Sequence, residues 1–423
     1  MVRFAGKEEA GMKRRYVNPF FTSTDIPDEY FCGRDAETER IVHHIGNGSN
    51  IVLKSPRRLG KSSLIKHVFG QEIIKNGYNT LYVDIYSTKS ERDFISVFQS
   101  QLLEAPFAQK ARRKKELESL LKGAYVSLGG VNTVNGQVEL PKIGLSPVAA
   151  PVLSLRNIFD FLSKTDKPNL VVFDEFQQIE EYPERMAAIL RSFVQESNNT
   201  RFIFCGSSRH MLTTMFQMAN QPFYKSAVSM DLDIIPLDTY VEFCERMFER
   251  GKKKIEREAV EFAYYLFSGE TYLLQSLMKE VYASLPSRAI ARVKDIKYAL
   301  AALIESKDTD YKDILNRLDN KKERNTLFCI ALEGIGKELT SSFMMKKYNL
   351  DNASSVQNAL NNLGEERLNL TARLCKGTYV LQDRLFELWL ASKFGVLEQK
   401  YEDSPNRFVE QREIERAVTL EIL

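Results

Sequence analysis

The 423-residue sequence has no long apolar run: nowhere do about 18 consecutive apolar residues occur, and Met1 to Arg15 carries charges where a secretory leader needs an apolar core. A cytoplasmic protein without a membrane span is the expectation. Cysteine is sparse, with Cys32, Cys205, Cys244, Cys329 and Cys375 forming an odd set that contains no CxxC pair. That pattern fits neither a disulfide framework nor a zinc site, and reduced, partly buried thiols are expected. The four histidines, His43, His44, His67 and His210, lack metal-ligand spacing; the adjacent pair His43 and His44 would point to different faces of a helix. Net charge is small as well. With 59 basic and 56 acidic residues the chain carries +3, which excludes a polycation that coats nucleic acid by bulk charge.

What is present is ample material for folding: 43% hydrophobic, 11% aromatic and 27% charged residues. That composition argues against disorder, and the length suggests two to four domains of about 100–200 residues each. Short apolar runs read as strands at Ile51 to Leu53, Thr80 to Tyr86, Asn169 to Phe176, Arg201 to Ser207 and Val228 to Ile235. Helical stretches at Glu91 to Leu103, Leu153 to Lys164, Glu184 to Ser197 and His210 to Met218 alternate with them, so an α/β core with a parallel sheet covered on both faces is predicted. Residues 123–150 break the rhythm with glycine-spaced alternating segments and read as an inserted β-hairpin, preceded by the basic run Lys110 to Lys115.

Beyond Leu237 the strand signal vanishes. Residues 238–308 read as an all-α unit, and 309–394 as helices followed by a two-strand signal at Leu368 to Arg373 and Gly377 to Leu381, the order of a winged helix. The predicted boundaries are thus a core to 237, a helical unit to 308, a winged helix to 394 and a charged end over 395–423, either a loose helix or a disordered tail. No internal repeat is found, and about thirty residues after Phe394 are too few for a further core.

The segment from Ser55 to Ser63, SPRRLGKSS, follows a strand, opens a helix and has the spacing of a phosphate loop. Gly60 lets backbone approach phosphate, successive N–H groups and the helix N-terminus supply partial positive charge, and Lys61 adds a full one. Ser62 offers a hydroxyl to Mg²⁺. Pro56, Arg57, Arg58, Leu59 and Ser63 complete the predicted nucleotide cradle, with Ser55-Pro56 in place of the usual first glycine; whether Arg57 and Arg58 face the ligand or a neighbouring subunit is not readable. The matching acids come 113 residues after Lys61, where VVFDEF ends a strand. Asp174 sits where Mg²⁺ needs a carboxylate, and Glu175 can polarise a water for attack on the γ-phosphorus. At the end of the fourth strand, Ser207 or Ser208 can bond the γ-phosphate or orient that water, while Ser208 is equally suited to capping the next helix. Arg209 beside them is expected to face solvent.

These residues, with NPF at Asn18 to Phe20, YFCGRDAETERI at Tyr30 to Ile41, YVDIY at Tyr82 to Tyr86, FDEFQQI at Phe173 to Ile179, FCGSS at Phe204 to Ser208, SGETYLLQ at Ser268 to Gln275 and YVLQDRLFELWL at Tyr379 to Leu390, make the chain resemble the archaeal-type ATPases of the STAND branch of AAA+ proteins over nearly its whole length. The resemblance implies an ATP-binding core, a helical lid and a winged helix, with Phe31, Cys32, Gly33 and Arg34 along the adenine side. Related lids carry a Gly-x-Pro motif; here Gly269-Glu270-Thr271 lacks the proline, and no lid arginine is assigned to the sensor position of ring motors.

Three functions remain in view. One is a slow Mg²⁺-dependent ATPase acting as a conformational switch. The second is a nucleic-acid-binding regulator whose ATP is mainly structural, with Ala353 to Leu363 as recognition helix. That helix holds Gln357, Asn358, Asn361 and Asn362 but no Arg or Lys, and Asp310 to Lys393 has 13 basic and 11 acidic residues, a weak electrostatic footprint that favours a protein partner. The third is a signalling or defence switch that oligomerises on recognising a partner.

Overall fold

The computed structural model describes residues 18–109, 132–134, 137–139, 149–182, 185–318, 320–364 and 367–422. The chain divides into two compact units, Ser23–Ile235 and a second made of Pro236–Leu423 with the segment ending at Thr22. Among the described residues no helix is long and apolar enough to cross a membrane.

The first unit is built on β1 (Ile51–Lys54), β2 (Asn79–Asp84), β5 (Asn169–Asp174), β6 (Thr200–Gly206) and β7 (Val228–Asp231), in the order β2-β5-β6-β1-β7. Every pairing in this sheet is parallel. The strands run apolar on both faces because both are covered. Period-two alternation sends Val171, Phe173, Phe202 and Phe204 into one core and Leu170, Val172, Ile203 and Cys205 into the other. The first core adds α4 (Glu91–Glu104), α5 (Ala149–Ser163), α6 (Met186–Glu196) and α7 (Arg209–Gln217); the second adds α1 (Asp35–Gly46), α2 (Lys61–Gly70) and α3 (Glu72–Gly77). Phe173 packs on Phe94, Phe98, Phe176 and Phe204 within 6.1 Å between ring centroids. Burying each such ring contributes about 1.5–3 kcal/mol, which anchors the strand that ends in Asp174.

The predicted strands appear with ends shifted by a few residues, most at the fifth, which stops at Asp231 rather than Ile235. Of the insertion, β3 (Asn132–Val134) pairs antiparallel with β4 (Gln137–Glu139); the segment 124–128 and the basic run 110–115 lie outside the described residues.

The second unit contains α8 (Leu237–Arg250), α9 (Arg257–Leu266), α10 (Thr271–Ser284) and α11 (Val293–Ser306). It is not purely helical as the sequence suggested, since β8 (Lys254–Ile255) and β9 (Ile290–Ala291) form a two-residue parallel pair. Phe20 is fully buried here against Phe243, Phe248 and Tyr282, and Asn18 Nδ2 donates to the Lys279 carbonyl at 2.9 Å. The NPF motif thus belongs to this unit.

Next come α12 (Asp308–Asn316), α13 (Lys321–Glu333), β10 (Gly336–Lys337), α14 (Ser342–Lys347), α15 (Ala353–Leu363), β11 (Thr371–Cys375), β12 (Thr378–Leu381) and α16 (Arg384–Lys393). The order β10-β12-β11 adds a short third strand to the expected wing. The charged end is a helix, α17 (Leu397–Ile422), that continues through Pro405.

A buried charge cluster ties α17 down. Glu387 is fully buried and receives Arg384, Arg407 Nη2 at 3.3 Å and Lys400 Nζ at 3.7 Å. The same cations bond main chain elsewhere: Arg384 Nε donates to the Leu266 carbonyl at 2.9 Å and Lys400 Nζ to that of Leu332 at 2.7 Å, while Arg407 Nη1 reaches Ser268 Oγ at 2.9 Å. Burial alone would push the Glu387 carboxyl up, but the three cations hold it below its usual range. Gly334 (φ +80°) lies at their centre, where a Cβ would stand 3.3 Å from Lys400 Nζ and 3.4 Å from Glu387 Oε1. With three cations on one carboxylate, Glu387→Gln should cost about 3–5 kcal/mol and Arg407→Met less, because two cations would still serve Glu387. Denaturant unfolding followed by the fluorescence of Trp389, the single tryptophan, measures both; equal costs would contradict this charge count.

Candidate functional site

The parallel sheet delivers its chemistry at the carboxyl ends of the strands. β1 ends at Lys54 and the chain turns through Ser55–Gly60 into α2. Gly60, the residue before the helix, has φ +88°, a conformation that Gly adopts without the Cβ penalty. Among the described residues nothing lies within 4 Å of where a Cβ would be, so the backbone faces open space there. The first turn of α2 carries no acidic residue, which leaves its N–H groups and dipole free to favour an anion.

Register sets the acids. β5 ends on Asp174, directly beside Asp84 of β2, and β6 lies between β1 and β5, so Ser207 after β6 stands between the loop and the acid pair. Lys61 Nζ pairs with Asp174 Oδ1 and lies 3.2 Å from Glu175 Oε1. Ser62 Oγ donates to Asp174 Oδ2 at 3.1 Å, and the Tyr82 hydroxyl bonds that same oxygen. Glu175 is held by Gln177 Nε2 at 2.5 Å, by Ser207 Oγ at 2.7 Å and by the Ser207 N–H at 3.3 Å. Its φ of +55° is uncommon for a side chain of this kind, and such local strain clusters at functional sites. A side chain at Gly206 would displace Gln177, whose Oε1 stands 1.9 Å from where a Cβ would be.

The electrostatics are those of a closed ion cluster. Lys61 and Asp174 are 8% and 4% exposed. Burial works against the Lys61 ammonium, yet Asp174 and Glu175 outweigh it and raise the amine above its ordinary value. Burial also opposes both carboxylates, and Lys61 overcomes it; with the bonds from Tyr82 to Asp174 and from Gln177 and Ser207 to Glu175, both fall below their ordinary values.

The remaining predicted residues divide. Arg57 is exposed and its Nε lies 3.4 Å from Ser207 Oγ, so it turns toward the site; Arg58 has φ +66° in the loop. Ser55 Oγ bonds the Pro56 carbonyl at 2.9 Å, Leu59 is buried, and Ser63 follows in α2. Arg34 is buried and committed to the Leu59 carbonyl at 3.1 Å and to Glu37 at 2.7 Å, which braces the loop from behind. Phe31 stacks on His67 of α2 with centroids 4.0 Å apart, Cys32 is buried, and Gly33 has φ +57°. Arg209 Nη2 donates to the Leu232 carbonyl at 3.1 Å rather than standing free in solvent, and Ser208 precedes α7 without a side-chain cap bond. Tyr82, Gln177 and His67 escaped the sequence reading. Gln177 had a signal, standing two residues after Glu175; Tyr82 had one in the two-residue period that puts it on one face of β2 with Asp84.

A loop of this geometry, an acid pair two strands away and a polar residue on the strand between them define a phosphate-loop nucleotide hydrolase fold. The comparison with known families agrees: residues 31–277 match the ATPase domain found predominantly in Archaea, and the chain belongs to that family. Residues 309–392 match a probable winged helix domain. Two uncharacterised ATP-binding proteins of Methanocaldococcus jannaschii are each 22% identical, one over 69% of this chain and 83% of its own length, the other over 70% and 80%. Among solved structures, the Walker-type ATPase of Pyrococcus abyssi aligns over 87% of this chain and 99% of its own with a TM-score of 0.57 at 19% identity. The ORC2 protein of Aeropyrum pernix, solved in ADPNP–ADP complexes, aligns over 87% and 98% with a TM-score of 0.51 at 13% identity. At these identities the structural likeness concerns the fold.

The shifts of Asp174 and Glu175 carry a sign. Carboxyls lowered in the folded chain stabilise it above about pH 4, and that contribution is lost as pH falls through their folded values. Lys61, raised, contributes below about pH 10.4 and loses its share as pH climbs through its folded value. Between pH 6 and 3 the wild-type Tm should therefore fall relative to that of Asp174→Asn. A gap that does not change with pH in calorimetry would contradict the pairing.

Proposed function

We propose that the chain is an ATP-binding, Mg²⁺-dependent ATPase of the STAND branch of AAA+ proteins, slow in turnover and used as a nucleotide-controlled switch. The observation that carries this reading is the convergence of Lys61, Ser62, Asp174, Glu175 and Ser207 at the loop. Residues 56–63 would hold the phosphates, with Lys61 on the β and γ groups and backbone N–H groups of the first turn of α2 around them. Ser62 and Asp174 fit Mg²⁺, a hydroxyl and a hard carboxylate oxygen 3.1 Å apart in a site where one or two carboxylates and substrate phosphates are the usual ligands. The ion, when bound, supplies charge neutralisation across the β and γ oxygens.

Nucleotide binding draws Lys61 away from the acids and leaves Glu175 to take up a water proton. Ser207 and Gln177 orient that carboxylate, and Arg57 adds positive charge at the same edge. Phe31 and Gly33 lie on the proposed base side, with Arg34 bracing the loop. In this reading the C-terminal helices and winged helix are the part that responds to nucleotide state. Phosphate release from ATP should fall roughly 100-fold or more in Lys61→Ala and Glu175→Gln, with ATP binding retained in the latter. Equal release by wild type and both variants would defeat the proposal.

For the winged helix we favour a protein partner over duplex DNA. The exposed face of α15 presents Ser354, Gln357, Asn358 and Asn361, and Gln357 Nε2 bonds Asn361 Oδ1 at 3.1 Å, so one of the amides that could read a base is already engaged. No cation lies on this helix to bind phosphates. Fluorescence anisotropy with random duplex at low salt should show no binding at micromolar protein, whereas a saturable, salt-sensitive signal would restore the nucleic-acid reading.

A further inference from the structure

The opposite edge of the same sheet holds a second polar cavity. Its walls come from the starts of three strands and the end of α6: Asn50 just before β1, Thr200 and Arg201 opening β6, Ser226 before β7, and Arg191 with Gln195. A strand of four to six residues spans ~13–20 Å, which puts this cavity well away from Lys61. Ligands of open parallel sheets usually bind at the carboxyl edge, so two arginines gathered at the amino edge are not explained by the fold.

Several observations point to an anion site. Among the described residues, no acidic side chain lines the cavity. The Arg191 side chain has no hydrogen bond or ion pair among the described residues, and its Nε is buried without a partner. Burial also pushes the Arg191 guanidinium below its ordinary value, with no carboxylate among the described residues to offset it. Arg201 uses one terminal nitrogen on the Thr200 carbonyl at 2.9 Å and the Asn198 carbonyl at 3.3 Å, and its Nε and other terminal nitrogen bond nothing among the described residues. Gly48, at φ +80°, brings its backbone against that guanidinium, where a Cβ would stand 3.4 Å from Arg201 Nη2. Two guanidinium groups sharing one cavity repel, and each presents a fork suited to an oxyanion.

We propose that this cavity is a binding site for a small tetrahedral oxyanion of the phosphate class, held by Arg191 and Arg201. Its size suits a small anion. The volume is about 250 Å³, the share of roughly eight liquid waters and below the ~300–1,000 Å³ of pockets that enclose drug-sized ligands. Asn50 frames the site and does not bind in it, since its Oδ1 accepts from Phe202 N–H at 2.9 Å and its Nδ2 donates to the Ser226 carbonyl at 3.4 Å. Gln195 supplies a further amide at the rim.

The test is calorimetric unfolding of the full chain with inorganic phosphate replacing chloride at constant ionic strength. Both proteins compared carry Lys61→Ala, so that the phosphate loop contributes equally to each. Phosphate should raise the Tm of this parent in a saturable way, and the added Arg191→Gln and Arg201→Gln substitutions should remove that saturable rise while leaving any general salt effect. If the double substitution prevents folding, Arg191→Lys, which keeps the charge and loses the fork, should shift the phosphate midpoint roughly tenfold or more to higher concentration. Acetate in a parallel series should give no such rise. Equal responses of parent and arginine variants overturn the site, and an acetate response equal to that of phosphate overturns the tetrahedral class.

Discussion

The ion cluster of Lys61 with Asp174 and Glu175 is the constraint on which the rest of this edge of the sheet depends. The Lys61 ammonium is almost fully buried, and a buried charge is tolerated only when paired. Both carboxylates therefore have to reach it, and every nearby device serves that end. The left-handed backbone at Glu175 turns its side chain back toward the loop, Gln177 and Ser207 hold the carboxylate, and Tyr82 and Ser62 share one oxygen of Asp174. The groups that the proposed nucleotide and cation would need are thus already assembled, each satisfied by another.

The sheet order makes the cluster possible. With β6 between β1 and β5, the loop and the acid pair are separated by one strand width of about 5 Å on each side, and the residue at the end of β6 necessarily lies between them. The stacked phenylalanines under β5 and β6 hold that spacing rigid. Gly206 belongs to the same requirement, because any side chain there would displace Gln177 and, through it, Glu175.

Much of this was legible in the sequence, for physical reasons. Apolar runs such as NLVVFDEF mark buried strands, and the loop spacing and strand-end acids mark the site, since a parallel sheet brings strand ends together wherever they fall in sequence. The helix Ala353–Leu363 was readable residue for residue because Asn352 caps it, accepting from Ser355 N–H. Other features had no local signal. Whether Arg34 meets nucleotide or the loop's own carbonyl depends on tertiary contacts, and Phe31 on His67 is likewise a contact between distant segments. For the last helix the charged sequence with Pro405 left helix and disordered tail both open; the burial of Lys400 and Ser404 and the ion pair of Arg407 with Glu387 make it part of the fold.

The central claim of the proposed function is that nucleotide binding moves Lys61 from its pairing with Asp174 and Glu175 to the phosphates. A crystal structure with Mg²⁺ and a non-hydrolysable ATP analogue tests it most directly. The account predicts Lys61 Nζ on phosphate oxygens, Ser62 and Asp174 at the metal, and Glu175 released toward a water beside the γ-phosphate. A bound analogue with Lys61 still paired to Asp174 and Glu175 would contradict it.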